Sequence, residues 1–421
     1  MKISFRKLAK WLPDNLKGPI LRKLVKVPYP FPRELKFKVA TTHRELEQAF
    51  SILHDAYTEE GLITPEKSGI RVTKYHMLPT SSVLVALWNE EVVATVTLIR
   101  KSVFGIPSDA LFDLSHINGE IAEISSLAVK KPFKNRKGTI LFPLFKFLYH
   151  YATDFLGVTH FVIAINPKWQ DFYYHILLFK KLNDKPVPYD FINHNPAMGG
   201  ILDLRVAAER YYAHYGQFEE RITMYSLFFE LPRINMEFPE RSPQIHFNSL
   251  LAPEEFEWFF IKKSQILFEL SEYELHRLHE IYDDKRYRNL IPHPKGLDSK
   301  SPRYKRYMVT FYGQIYDHSD YKKIIGRIKI TNLSFTGIGG SLIGDLPDAS
   351  RYHLRLHPAG IAPIDLVISL VWHDKIQKKC GFRVVESNQE WTSFINYLEN
   401  YLKRSINSEQ IKHEESKKSA A

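Results

Sequence analysis

The sequence predicts two folded units of different class. An α/β domain comes first and an antiparallel β-barrel second, joined by a helical connector. Three observations predict this. Between residues 36 and 230, helical periodicity alternates with short β-rich runs, ending in a basic turn and a long apolar helix. Between 303 and 386, five strand-like runs follow one another with no helical stretch among them. Pro292, Pro294, Gly296 and Pro302 punctuate the chain before that second region and mark a linker.

The chain has 421 residues, enough for two or three domains. Hydrophobic residues make up 44% and charged residues 25%, the balance of an ordinary globular protein. The aromatic share of 14% is high and points to well-filled cores or apolar ligand grooves. A net charge of +11 suits anionic partners: nucleotides, acidic carrier proteins or lipid headgroups. The single cysteine, Cys380, excludes an internal disulfide framework and agrees with a reducing cytosol, so a cytoplasmic protein is expected. No apolar run is long enough to span a bilayer, and no secretory signal opens the chain.

Residues 1–35 form a basic arm. Lys2, Arg6, Lys7, Lys10, Lys17, Arg22, Lys23 and Lys26 face one acid, Asp14. Phe5, Leu8, Trp11 and Leu12 can form one helical stripe, and Leu21, Leu24 and Val25 another, before Pro28, Pro30 and Pro32 stop any helix. Such a segment suits an anionic membrane surface, contacted peripherally through residues 1–32; the alternative is an arm packed on its own domain.

In the α/β region, Thr42 and Glu45 form a capping box before a helix whose stripe is Leu46, Ala49, Phe50, Leu53 and Tyr57. Strands over 83–88 and 92–99, joined through Asn89, Glu90 and Glu91, form a hairpin. A strand over 121–129, a basic turn at 132–138, a helix over 139–156, a strand over 160–166 and an aromatic helix over 169–181 follow. Residues 231–299 read as the helical connector, with an apolar run over 253–267 and a helix capped by Ser271 and Glu274. Residues 300–405 hold the barrel, with strands over 307–315, 323–333, 352–356, 362–372 and 381–385 and a helix capped by Ser387 and Glu390. Residues 406–421 are polar and aperiodic, and a disordered tail is expected.

The element order of 36–230 resembles the GNAT acyltransferase fold, in the branch of N-acyl amino acid synthases and acyl-homoserine-lactone synthases. The segment Glu123-Ile124-Ser125-Ser126-Leu127-Ala128-Val129 is similar to that branch's Glu-x-Ser-Arg-x-Ala-Val strand, with Ser126 in place of arginine. Asn135 to Ile140 stands where the family binds the donor's pyrophosphate, and Asn166-Pro167 through Phe172, Tyr173, Tyr174 and Phe179 stands where the acyl arm runs. The resemblance implies acyl transfer from a thioester to an amine. Glu123 would be the general base, and Arg136, Gly138, Phe172 and Tyr173 would hold the acyl donor, with Trp169 and Tyr174 as further tunnel aromatics. Of the usual pyrophosphate-turn pattern only Gly138 survives, and a β-branched Ile140 would crowd a pyrophosphate. That departure favours the phosphopantetheine arm of an acyl carrier protein over a coenzyme A thioester.

In the barrel, Asn332-x-Ser334-x-x-Gly337 follows a basic entry carrying Arg303 and Arg306. Asn332 and Ser334 would share a strand face, and Gly337 permits a positive φ or a close ligand approach. Together these resemble the PilZ domain, which binds cyclic di-GMP. The resemblance implies that Arg303 and Arg306 bind phosphate or guanine, Asn332 and Ser334 bond the guanine edge, and Gly337 gives clearance. The spacing of the arginines departs from the family's Arg-x-x-x-Arg. The combined expectation is a bacterial N-acyltransferase under messenger control. The alternative is a non-enzymatic effector whose front domain only binds a partner. No metal is expected: His276 with His279, and His353 with His357, have suitable spacing but no completing ligands. Nucleic acid is not expected either, since the basic residues are dispersed.

Overall fold

Alternating apolar runs between residues 35 and 203 pair into one mixed sheet. The computed structural model describes residues 13–218, 221–240, 244–294, 305–344, 346–347, 349–375 and 378–403. Contacts divide the chain into one unit of residues 1–76, 81–154 and 158–239, and a second of 77–80, 155–157 and 240–421.

In the first unit the strands are β1 (Leu35–Val39), β2 (Ser81–Trp88), β3 (Glu91–Arg100), β4 (Ile121–Val129), β5 (His160–Ile165), β6 (Lys180–Lys181), β7 (Val187–Tyr189), β8 (Asn195–Asp203) and β9 (Met236–Glu237). They lie in the order β6-β8-β5-β4-β3-β2-β1-β9, with β7 on β8. The β2–β3 turn has positive φ at Asn89 (50°) and Glu90 (64°), which matches the right-handed twist of a two-residue hairpin. β4 is central, and eight of its nine residues are buried, which explains its nearly continuous apolar character.

The helices are α1 (Asp14–Leu24), α2 (His43–Glu59), α3 (Lys137–His150) and α4 (Ala207–Tyr215). Both halves of the Thr42–Glu45 capping box form on α2, which buries Leu46, Phe50 and Leu53. The helix expected over 139–156 ends earlier: α3 closes at His150 and passes into a π-turn, Tyr151–Phe155. The aromatic helix expected over 169–181 does not form. The chain makes a short 3-10 turn (Pro167–Trp169) and a π-turn (Phe172–Ile176), then breaks at Leu178, whose φ is 60°. In α1, Leu21 is fully buried and Arg22 donates to the His175 carbonyl (3.2 Å), so this part of the arm packs on its own unit. Phe5, Leu8, Trp11 and Leu12 lie outside the described residues. No helix among the described residues is long and apolar enough to cross a membrane.

The second unit opens with α5 (Pro253–Glu257) and α6 (Glu272–Ile281). The run expected to be helical over 253–267 is broken by a π-turn (Trp258–Lys262) and a 3-10 turn (Ile266–Glu269). The Ser271–Glu274 capping box forms. β10 (Tyr307–Asp317), β11 (Ile324–Ser334), β12 (Gly337–Ile343), β13 (Tyr352–His357), β14 (Ile364–Asp374) and β15 (Lys379–Glu386) close into an antiparallel barrel in the order β10-β11-β12-β15-β14-β13. Ile328, Ile330, Ile338, Leu354, Ile368 and Phe382 are among its buried side chains.

The barrel has a sixth strand where the sequence predicts a turn. β12 carries Gly337, Gly339 and Gly340, which lower strand propensity. Packing requires them here: a Cβ on Gly340 would stand 2.3 Å from the Lys329 carbonyl oxygen. A helix, α7, covers 389–403 and buries Trp391, Phe394 and Leu398. Its cap is Asn388, whose Oδ1 accepts from Trp391 N (2.9 Å), and not Ser387.

Candidate functional sites

The first site follows from a splay in the sheet. β4 and β5 run parallel but pair only from Ile121 to Glu123, against His160 to Val162. Beyond Glu123, β5 keeps its pairing with β8 through Ile165 while β4 stays with β3. One edge of β4 is therefore left without a partner strand, and its backbone groups need other partners. A cavity of about 320 Å³ occupies the opening. β4 itself is bulged there, with a register shift between Thr95 and Thr97 of β3 and a φ of 55° at Ser126.

Glu123 stands at the apex of the splay and lines the cavity. Its side chain is buried, and Oε2 accepts from Ser108 N at 2.7 Å. Burial pushes its carboxyl up to about 7; the Ser108 bond opposes the rise and Asp109 adds to it. Tyr57 and Tyr189 also line the cavity, and burial raises both phenols. The Tyr57 ring is stacked by the Arg71 guanidinium at 5.1 Å, which tempers its rise. The Tyr189 hydroxyl is buried and bonds to no described group.

Phe172 and Tyr173 line the cavity, as does Trp169, whereas Tyr174 turns away and donates to the Gly199 carbonyl (2.8 Å). Gly138 lines it near the start of α3, where a Cβ would meet nothing closer than Phe142 at 3.6 Å. Arg136 does not line it: its guanidinium lies over the Trp88 ring at 5.4 Å. Ile140 is fully buried, so it does not crowd a donor as the sequence suggested. The lysines of the cavity are Lys134 and Lys168, held to Glu59 and Glu60 of α2 and its C-cap. In the sequence Tyr57 stands out only as part of the α2 stripe and Lys168 only as part of the 166–172 segment, and nothing local marks Tyr189.

The second site lies on the outer wall of the barrel. Arg306 donates from Nη1 to Asn332 Oδ1, and its Nη2 is 3.3 Å from where a Gly337 Cβ would stand. Ser334 is buried and its Oγ donates to the Gly337 carbonyl (3.4 Å). Arg306, Asn332, Ser334 and Gly337 are thus gathered in one place. Arg303 lies outside the described residues. Asn332 and Ser334 flank the inward Leu333 and so share one face, as the sequence suggests, with Ser334 buried beneath its neighbours and Asn332 partly exposed. One detail differs from expectation. Gly337 sits in a strand without a positive φ, so its part is clearance alone. Burial, and then Arg277 of α6, lower the Arg306 pKa.

Three of the four histidines of the pairs His276 with His279 and His353 with His357 have other partners. His276 faces Glu280 (3.2 Å), His279 the Pro292 carbonyl (3.0 Å) and His353 the ring of His318 (2.9 Å). No cluster of three or more potential ligands exists among the described residues.

The splayed β4–β5 pair, the bulged β4 and the helix that follows define a GNAT-like acyltransferase fold in the first unit. A family model for the N-acyl amino acid synthase FeeM matches residues 48–203. The solved FeeM from uncultured soil microbes is 18% identical and covers 42% of this chain and 93% of its own, with a TM-score of 0.36. A CoA-dependent acyl-homoserine lactone synthase, BjaI, with SAM and isopentyl-CoA, is 17% identical over 49% of this chain and 94% of its own, at 0.33. The acyl-homoserine lactone synthase LasI is 13% identical over 43% and 94%, at 0.35. No curated protein matches the chain.

Proposed function

We propose that the first unit transfers an acyl group from a carrier thioester to an amine, and that the second is a PilZ domain that binds cyclic di-GMP. The observation that carries the first half is Glu123: a buried carboxyl, raised to about 7, at the apex of an open cavity beside an unpaired strand edge. A base with that pKa is matched to accepting a proton near neutral pH. The donor's pantetheine arm would lie along the free edge of β4 and bond its backbone. The acyl chain would lie among Phe172, Tyr173 and Trp169.

The amine nitrogen attacks the thioester carbon, and Glu123, directly or through a water, takes the proton the nitrogen loses. The tetrahedral adduct collapses, the carbon–sulfur bond breaks, and the thiolate leaves and is protonated. Lys134 and Lys168 would exchange Glu59 and Glu60 for the acidic surface or phosphate of the carrier. The second half of the reading is supported by the convergence of Arg306, Asn332, Ser334 and Gly337. The test is thiol release by the purified chain from an acyl carrier thioester or acyl-coenzyme A, with and without a mixture of primary amines. Amine-dependent release that Glu123→Gln abolishes is expected. Equal release by both proteins would refute the assignment.

A further inference from the structure

The candidate nucleotide site does not end at Gly337. The barrel register sets two parallel rows across β11, β12, β15 and β14. One row is Asn332, Gly339, Gly381 and Trp372; the next is Ser334, Gly337, Arg383 and Ser369. Ile338, Cys380 and Phe382 are buried inside, so Gly339 and Gly381, which alternate with them, face outward. The centre of the first row therefore carries no side chains of its own and is covered by its neighbours.

Two side chains lie on that strip. A Cβ on Gly339 would stand 2.8 Å from the Asn332 amide, and one on Gly381 would stand 2.2 Å from Trp372 Nε1. The amide and the indole thus cover neighbouring glycines, whose strands are about 4.8 Å apart. Trp372 is 51% exposed, although a tryptophan on a barrel wall gains most by burial. The bulge between Leu370 and Trp372 places it there. In the second row Arg383 is exposed and pairs with no acid among the described residues. It flanks Gly337 on β15, opposite the side that Arg306 approaches.

A hydrogen-bonding amide, an exposed indole and two guanidiniums around a floor of glycines are the parts that a planar base with phosphates requires. We propose that the cyclic di-GMP site extends over the glycine strip onto β14 and β15, where Trp372 stacks a guanine face and Arg383 supplies a second guanidinium. This rests on the nucleotide reading above and adds two residues to it. It also explains how the barrel can do without the regular arginine spacing at Arg303 and Arg306.

The test is calorimetry of cyclic di-GMP binding by the full chain. Trp372→Ala should weaken binding at least about fivefold, and Trp372→Phe should keep most of the affinity. Arg383→Ala should weaken it roughly tenfold and flatten its dependence on salt. Circular dichroism of each variant, matched to wild type, separates these losses from misfolding. If Arg306→Ala loses affinity while folded Trp372→Ala and Arg383→Ala bind like wild type, the extension is overturned and the nucleotide reading stands. If wild type does not bind, both fall.

Discussion

Replacing Glu123 by glutamine should stabilise the protein at alkaline pH while abolishing its activity. Raising a carboxyl from 4.5 to about 7 makes its ionised form about 3 kcal/mol less favourable in the native state than in the unfolded chain. The sign follows from proton binding. Below 4.5 both states are protonated and the buried carboxyl carries no charge penalty. As pH rises toward 7, the unfolded chain loses its proton first, the native state binds the extra proton, and stability falls. Above that range the penalty is complete. Glutamine cannot ionise, and its side-chain carbonyl still accepts the Ser108 N–H that Oε2 accepts now. Urea denaturation of wild type and Glu123→Gln near pH 5 and near pH 8 reads the effect, in the transition that belongs to the first unit. The variant should gain up to about 3 kcal/mol at the higher pH and much less at the lower. Wild-type kcat/KM should rise with pH through about 7 as the base loses its proton, and the variant should lose roughly 10²-fold or more. A stability difference that is the same at both pH values would refute a buried, proton-retaining carboxyl.

Three further outcomes are expected. Phe172→Ala should lower kcat/KM more for long acyl donors than for short ones, by about 0.8 kcal/mol per methylene no longer buried, as measured across a donor series. Gly340→Ala should destabilise the barrel by roughly 1–3 kcal/mol, because its Cβ would stand 2.3 Å from the Lys329 carbonyl; thermal unfolding of the second unit reads this. Thr42→Ala should cost about 1 kcal/mol in chemical denaturation, since it removes the acceptor for Glu45 N at 3.3 Å.

Local signals in the sequence located most elements. The Thr42–Glu45 and Ser271–Glu274 capping boxes form, because a cap needs only side chains three residues apart. The apolar β4 and the β2–β3 hairpin were legible for the same local reason. What failed depended on tertiary packing. The glycines of β12 suggested a turn, yet the close approach of Lys329 and Asn332 is what demands them. The aromatic stripe after Asn166 has helical spacing, but the chain there breaks into π and 3-10 turns around the cavity.

The sites divide in the same way. Glu123, Phe172 and Tyr173 come from two segments, and the cavity unites them. Arg136 was drawn in by its neighbours in sequence but stacks on Trp88. Tyr57, Tyr189 and Lys168 converge only in three dimensions, as do Trp372 and Arg383, whose rows exist only once the barrel register is known.

The central claim is that an amine is acylated with Glu123 as the base. Mass spectrometry of lipid extracts from cells overproducing wild type or Glu123→Ala tests it most directly. The account predicts an acylated amine that appears with wild type and is missing with the variant at equal protein levels. The same acylated amine at equal abundance with both proteins, or no new species with either at any cyclic di-GMP level, would contradict it.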